Sequence, residues 1–109
     1  MTEQDVVRAL AALAQLSRLQ IFRRLVVAGN EGMTPTALSE ALSLPSTSLS
    51  FHLKELTHSG LIAQERQGRN LIYRAMFSNM NEVLAFLTLN CCEGKPCELV
   101  EMSASCENC

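Results

Sequence analysis

The chain has 109 residues, 48% hydrophobic and 18% charged, with 9 basic and 11 acidic side chains and a net charge of −2. That length holds one ordinary core, and the apolar content excludes wholesale disorder. The longest aliphatic run, Ala9–Ala14, falls far short of the roughly 20 residues a membrane span needs. The acidic start, Met1-Thr2-Glu3-Gln4-Asp5, lacks the basic segment and apolar stretch of a secretory signal, so a cytoplasmic protein is expected.

Val6, Leu10 and Leu13, then Leu19, Phe22, Leu25 and Val26, recur at helical spacing and predict two early helices. Gly29-Asn30-Glu31-Gly32 punctuates them. Thr34-Pro35 reads as the start of a third helix, with Thr34 capping and Pro35 in the first position, where its missing N–H does no harm. Leu44-Pro45 ends it. A fourth helix begins near Ser46, buries Leu49, Leu53 and Leu56, and stops at Gly60. Two strand-like runs, 61–67 and 70–77, flank Gly68-Arg69, with Leu71, Tyr73, Ala75 and Phe77 alternating. Ser78-Asn79 with Glu82 resembles a capped helix start, and Met80, Val83, Leu84 and Leu87 form the apolar stripe of a fifth helix.

The order ααααββα is mainly α with a β-hairpin. A short helix, a tight turn, a polar-faced helix and a hairpin make a winged helix-turn-helix. The leucines of the fourth helix face inward, which leaves Ser46, Thr47, Ser48, Ser50 and Lys54 on the other face, with His52 to one side. Small hydroxyls near a helix start can bond phosphates or base edges without holding the helix off DNA. Arg66 and Arg69 bracket the hairpin tip and Arg74 lies further along the second strand, all three suited to phosphates or a minor groove. His52 reads two ways, as a packing residue beside the leucines or as a base contact.

The net charge hides an asymmetry. Residues 1–90 carry eight basic and seven acidic side chains, whereas residues 91–109 set Lys95 against Glu93, Glu98, Glu101 and Glu107. All five cysteines fall in that second stretch: Cys91, Cys92, Cys97, Cys106 and Cys109. The chain therefore divides into a winged helix-turn-helix DNA-binding domain, 1–90, and a cysteine-rich tail, 91–109. An odd, clustered set in a reducing compartment reads as a thiolate site or redox centre rather than a disulfide framework. Gly94 and Pro96 let the chain turn back so that Cys97 reaches the same centre as Cys91-Cys92. Three converging thiolates with no histidine nearby suit a soft, thiophilic ion better than a mixed nitrogen–sulfur zinc site. The terminal pair Cys106 and Cys109 has ligand-like spacing and is an auxiliary candidate, but it ends the chain, where order is least expected.

The run Leu16-Ser17-Arg18-Leu19-Gln20-Ile21-Phe22 resembles the second-helix signature of the ArsR/SmtB metalloregulatory repressors. Leu49-Ser50-Phe51-His52-Leu53-Lys54-Glu55-Leu56, with Ser59-Gly60-Leu61-Ile62, resembles that family's recognition helix and its entry into the wing. The resemblance spans about residues 5–97. It implies a homodimer joined through its first and last helices, which represses an operon by binding double-stranded operator DNA until an inducer ion binds. Two departures narrow the inducer. Gly32-Met33-Thr34-Pro35-Thr36-Ala37-Leu38 stands where many arsenic-sensing members carry Cys-Val-Cys, and the last helix offers Glu82 but no histidine for zinc. The run Leu87-Thr88-Leu89-Asn90-Cys91-Cys92 resembles variant arsenic sensors whose cysteines follow the last helix. That likeness implies Cys91, Cys92 and Cys97 as ligands of As(III) or Sb(III), and leaves Cys106 and Cys109 unassigned. Alternatives are a sensor of cadmium, lead or methylarsenite, a thiol redox switch, and a thiol reductase built on Cys106 and Cys109. No enzymatic activity is expected, since the reductase lacks a βαβ context.

Overall fold

The computed structural model describes residues 1–89. Five helices and one hairpin follow in the order α1 (Glu3–Leu13), α2 (Leu16–Ala28), a 3-10 turn (Gly29–Glu31), α3 (Pro35–Leu42), α4 (Ser46–His58), β1 (Ile62–Gln67), β2 (Asn70–Ala75) and α5 (Phe77–Leu87).

Local chemistry sets most of the boundaries. Thr2 and Asp5 close a capping box at the start of α1, and the Gln15 side chain accepts from the Arg18 N–H to begin α2. Thr34 accepts from the Ala37 N–H at 3.1 Å, and Pro35 opens α3 behind it. At the end of α4 the Leu61 N–H reaches the Leu56 carbonyl while the Gly60 N–H reaches that of Thr57. This is a Schellman closure, with Gly60 at φ +83° supplying the left-handed residue.

One core joins all five helices and the hairpin. α1 contributes Val6, Ala9 and Ala12, α2 contributes Ile21, Phe22 and Leu25, and α4 contributes Leu49, Leu53 and Leu56. Leu38 of α3, Leu61 and Ile62 at the start of the hairpin, Tyr73 and Ala75 of β2 and Val83 of α5 complete it. Truncating one of these leucines to alanine removes a side chain from a close-packed site, a change worth about 2–5 kcal/mol.

Several expected faces are turned. Leu10 of α1, and Leu19 and Val26 of α2, lie outward while Ala9, Ala12 and Ile21 take the core positions. In α5 only Val83 is buried, and Leu84 and Leu87 are 52% and 55% exposed. Phe77 opens α5 instead of ending the second strand, because the ladder stops at the Ile62–Ala75 pair. Ser78 makes no capping bond there. The Asn79 amide is used elsewhere, donating to the Gly60 carbonyl at 2.7 Å and pinning α5 to the end of α4.

Candidate nucleic-acid interface

α3 and α4 are joined by Ser43, Leu44 and Pro45 alone. Ser43 takes a left-handed conformation (φ 54°, ψ 42°), which reverses the chain within one residue. Ser39 locks the corner: its hydroxyl donates to the Leu44 carbonyl, and its own carbonyl accepts from the Leu44 N–H. With Leu38 and Leu49 buried beneath the turn, α4 is held at a fixed angle to α3 with its outer face bare.

That outer face carries the residues expected of it. Ser46, Thr47, Ser48, Ser50 and Lys54 are exposed. His52 is half-buried, its Nδ1 enclosed with no hydrogen-bond partner. Burial, and secondarily the charge of Arg18, holds its pKa below the ordinary value of 6.5. Its ring meets that of Phe51 edge-on, with centroids 5.8 Å apart.

The hairpin stands beside α4. β1 and β2 pair antiparallel from Ile62–Ala75 to Gln67–Asn70, leaving Gly68-Arg69 as a two-residue tip with Gly68 at φ +64°. Arg66 and Arg69 are exposed at that tip. The groove between helix and hairpin is lined by Ser50, Lys54, Thr57, Gln64 and Tyr73, among others. Thus α4 and the hairpin border one shared groove, and Arg66 and Arg69 add exposed charge at the tip, beyond its lining. Arg74 does not share it. Its Nε donates to the Asn30 carbonyl at 2.7 Å and its Nη1 meets a Glu65 carboxylate oxygen at 3.1 Å, so its charge is spent within the molecule.

Two supports of the hairpin have no local signal in the sequence. Met33 and Tyr73 exchange both backbone hydrogen bonds, at 3.0 and 2.8 Å, adding a one-residue third strand to the wing. Gly32 permits this approach: it sits at φ +66°, and a Cβ there would lie 2.5 Å from the Tyr73 carbonyl oxygen. The partners are 40 residues apart, beyond the reach of periodicity or capping rules.

The thiolate candidates Cys91, Cys92, Cys97, Cys106 and Cys109, and the tail domain 91–109 they define, lie outside the described residues. Among the described residues, no three His, Cys, Asp or Glu side chains come together as a metal site, and no helix is long and apolar enough to cross a membrane.

A corner of two helices with an exposed polar second helix and a basic hairpin beside it defines a winged helix-turn-helix protein. A family model described as a helix-turn-helix domain matches residues 13–65. The chain is 32% identical over 80 residues to the HTH-type transcriptional regulator NmtR of Mycobacterium tuberculosis, covering 73% of this chain. It spans 64% of that relative's length. An ArsR-like transcriptional regulator from Rhodococcus sp. RHA1 superposes with a TM-score of 0.70 at 25% identity, over 77% of this chain and 76% of its own. The homodimeric winged helix-turn-helix DNA-binding domain of Mb0332 from Mycobacterium bovis matches at 0.64 and 27% identity, over 84% and 82%. By these likenesses the chain is similar to ArsR-type winged helix-turn-helix transcriptional regulators. Both of these relatives, from Mycobacterium tuberculosis and Rhodococcus, are transcriptional regulators.

Proposed function

We propose that this protein is a transcriptional repressor that binds operator DNA as a homodimer and is released when As(III), or Sb(III) as its close analogue, binds three cysteine thiolates. The observation that carries the DNA half is the exposed polar face of α4, together with the exposed arginines of the neighbouring hairpin. Ser46, Thr47, Ser48, Ser50, His52 and Lys54 would face the major groove, and Arg66 and Arg69 the flanking backbone. The dimer is supported by the apolar side chains left bare on α1 and α5, notably Val7, Leu84 and Leu87, and by the homodimeric domain from Mycobacterium bovis.

The inducer half rests on the sequence run Cys91-Cys92-Glu93-Gly94-Lys95-Pro96-Cys97. Arsenite exchanges its three oxygens for three thiolates, and soft sulfur ligands select such an ion over harder ones. In this reading residues 91–109 are a separate sensing tail that begins where α5 ends. An ion bound there would bias the packing of the last helix against its dimer partner, and with it the separation of the two recognition helices. Moving the population from mostly bound to mostly free requires about 5.5 kcal/mol of differential binding.

The test is a titration of operator-bound protein with arsenite, zinc, cadmium and peroxide in parallel. Arsenite should release DNA at the lowest concentration. Cys91→Ser, Cys92→Ser and Cys97→Ser should each keep operator affinity and lose the arsenite response, while changing both Cys106 and Cys109 to serine leaves it largely intact. Release by peroxide alone would replace the metalloid reading with a thiol redox switch. A Cys97→Ser variant that still responds to arsenite, alongside an unresponsive double tail variant, would move the site to the terminal pair.

A further inference from the structure

At the end of α4 remote from Ser46, the helix forms a cleft with α1 and the start of α2. It measures about 600 Å3 and is lined by Arg8, Arg18, Glu55, His58 and Ser59, with two alanines of α1. That volume lies in the range of small-molecule sites. Apart from His58, which also lines the groove between α4 and the hairpin, these residues are separate from the proposed DNA face, and none belongs to the cysteine tail.

Arg18 is the group that points to a ligand. Its Nε donates to the Ala12 carbonyl at 2.7 Å, which fixes the plane of the guanidinium against the end of α1. The side chain is half-buried, yet among the described residues no carboxylate lies within ion-pair distance of it. A half-buried guanidinium with its Nη groups unspent is completed by an oxyanion, which it can hold through a planar fork. Arg8 adds a second guanidinium; its contact with Asp5, at 3.8 Å and well exposed, is a loose one. His58 brings ring nitrogens to the same cleft, while the Ser59 hydroxyl is already donated to the Leu56 carbonyl. Glu55 is the single acid in the lining and selects against a bare anion. A ligand that offers a hydroxyl donor beside its carboxylate turns that repulsion into a hydrogen bond.

We propose that this cleft binds a small hydroxy-carboxylate, with a carboxylate on Arg18 and Arg8 and the hydroxyl donating to Glu55. The ligand would bridge α1 to α4 by a route independent of the cysteines.

Calorimetric titration of the full chain with citrate, and with tricarballylate as the same tricarboxylate lacking the hydroxyl, tests this at matched ionic strength. One citrate per chain is expected, bound about tenfold more tightly than tricarballylate, since a site built to accept a hydroxyl proton rejects the analogue without it. Arg18→Lys and Arg8→Gln should each weaken citrate about tenfold, the scale of one lost charge-assisted hydrogen bond. Arg23→Gln on α2 and Arg69→Gln on the hairpin should leave it unchanged. Should Arg18→Lys fail to fold, Arg8→Gln alone decides. Absence of saturable citrate binding, equal affinity for both acids, indifference to Arg8→Gln, or loss in Arg69→Gln would each overturn the assignment.

Discussion

Gly32 and Gly29 both sit at positive φ, yet the structure asks different things of them. A Cβ on Gly29 meets open space, so Gly29→Ala should cost only its strained positive-φ backbone (φ 64°, ψ −139°), about 1–3 kcal/mol. A Cβ on Gly32 collides with the Tyr73 carbonyl and with the Ile72 and Arg74 side chains. Gly32→Ala should therefore break the Met33–Tyr73 exchange and cost about 3 kcal/mol or more, the backbone penalty plus two lost hydrogen bonds. Urea unfolding of the two variants side by side checks the contrast. His52 makes a different prediction. The unfolded chain takes up its proton near pH 6.5, whereas the folded chain, with the imidazole shielded from water and secondarily repelled by Arg18, takes it up only at lower pH. Above pH 6.5 both states are neutral and His52 contributes no pH dependence; as pH falls through that value the unfolded state gains, and stability drops. Denaturant melts at pH 7.5 and 5.5 should show a smaller loss for His52→Gln than for the wild type, and an equal loss would rule out His52 as a source.

Among the elements, α4 and the hairpin should divide DNA recognition between them. Ser50→Ala, on the outer face of α4, should weaken operator binding while sparing random DNA. Arg69→Ala, at the tip, should weaken both and make the logarithmic salt slope shallower by about 1. Arg74→Met should leave that slope alone, because its guanidinium is held by Asn30 and Glu65. Fluorescence anisotropy across a salt series separates the three. The sequence makes these elements legible to different degrees. Thr34-Pro35 and the leucines of α4 announce themselves, because capping and helical burial are local rules written within a few residues. The boundary at Phe77 does not, since alternation continues past Ala75 while the ladder has already ended. The role of Asn79 is equally hidden: its partner, Gly60, lies 19 residues away and is reached only after the hairpin has folded back. The polar face of α4 follows from subtraction once its leucines are assigned to the core, whereas the tying-down of Arg74 depends on a carbonyl 44 residues earlier.

For the molecule as a whole, the outward side chains of α1 and α5 are the main unresolved surface. Val7 is 64% exposed, and Leu84, Leu87 and Leu89 follow along the last helix and its end. The spacing that predicts an apolar stripe on α5 holds, but only Val83 and Met80 of it meet the core, and Leu84 and Leu87 lie outside. A two-fold partner would cover it, so sedimentation at micromolar concentration should give about twice the monomer mass, the usual isologous solution for such a face. Leu84→Glu should shift the protein to monomer and weaken operator binding while leaving the helical signal in circular dichroism intact. A monomeric wild type that still binds operator tightly would count against the dimer.

The Met33–Tyr73 bridge and the Arg74–Asn30 bond fasten the base of the hairpin to the end of α2 at two adjacent points, while a Cβ on Gly68 would meet open space and Arg69 is exposed at the tip. The wing is thus a lever arm of fixed bearing and adjustable length. Substitutions in residues 29–33 re-aim it, whereas insertions at 68–69 alter only how far it extends. Sequence drift in these two places would therefore tune separate quantities, direction and reach.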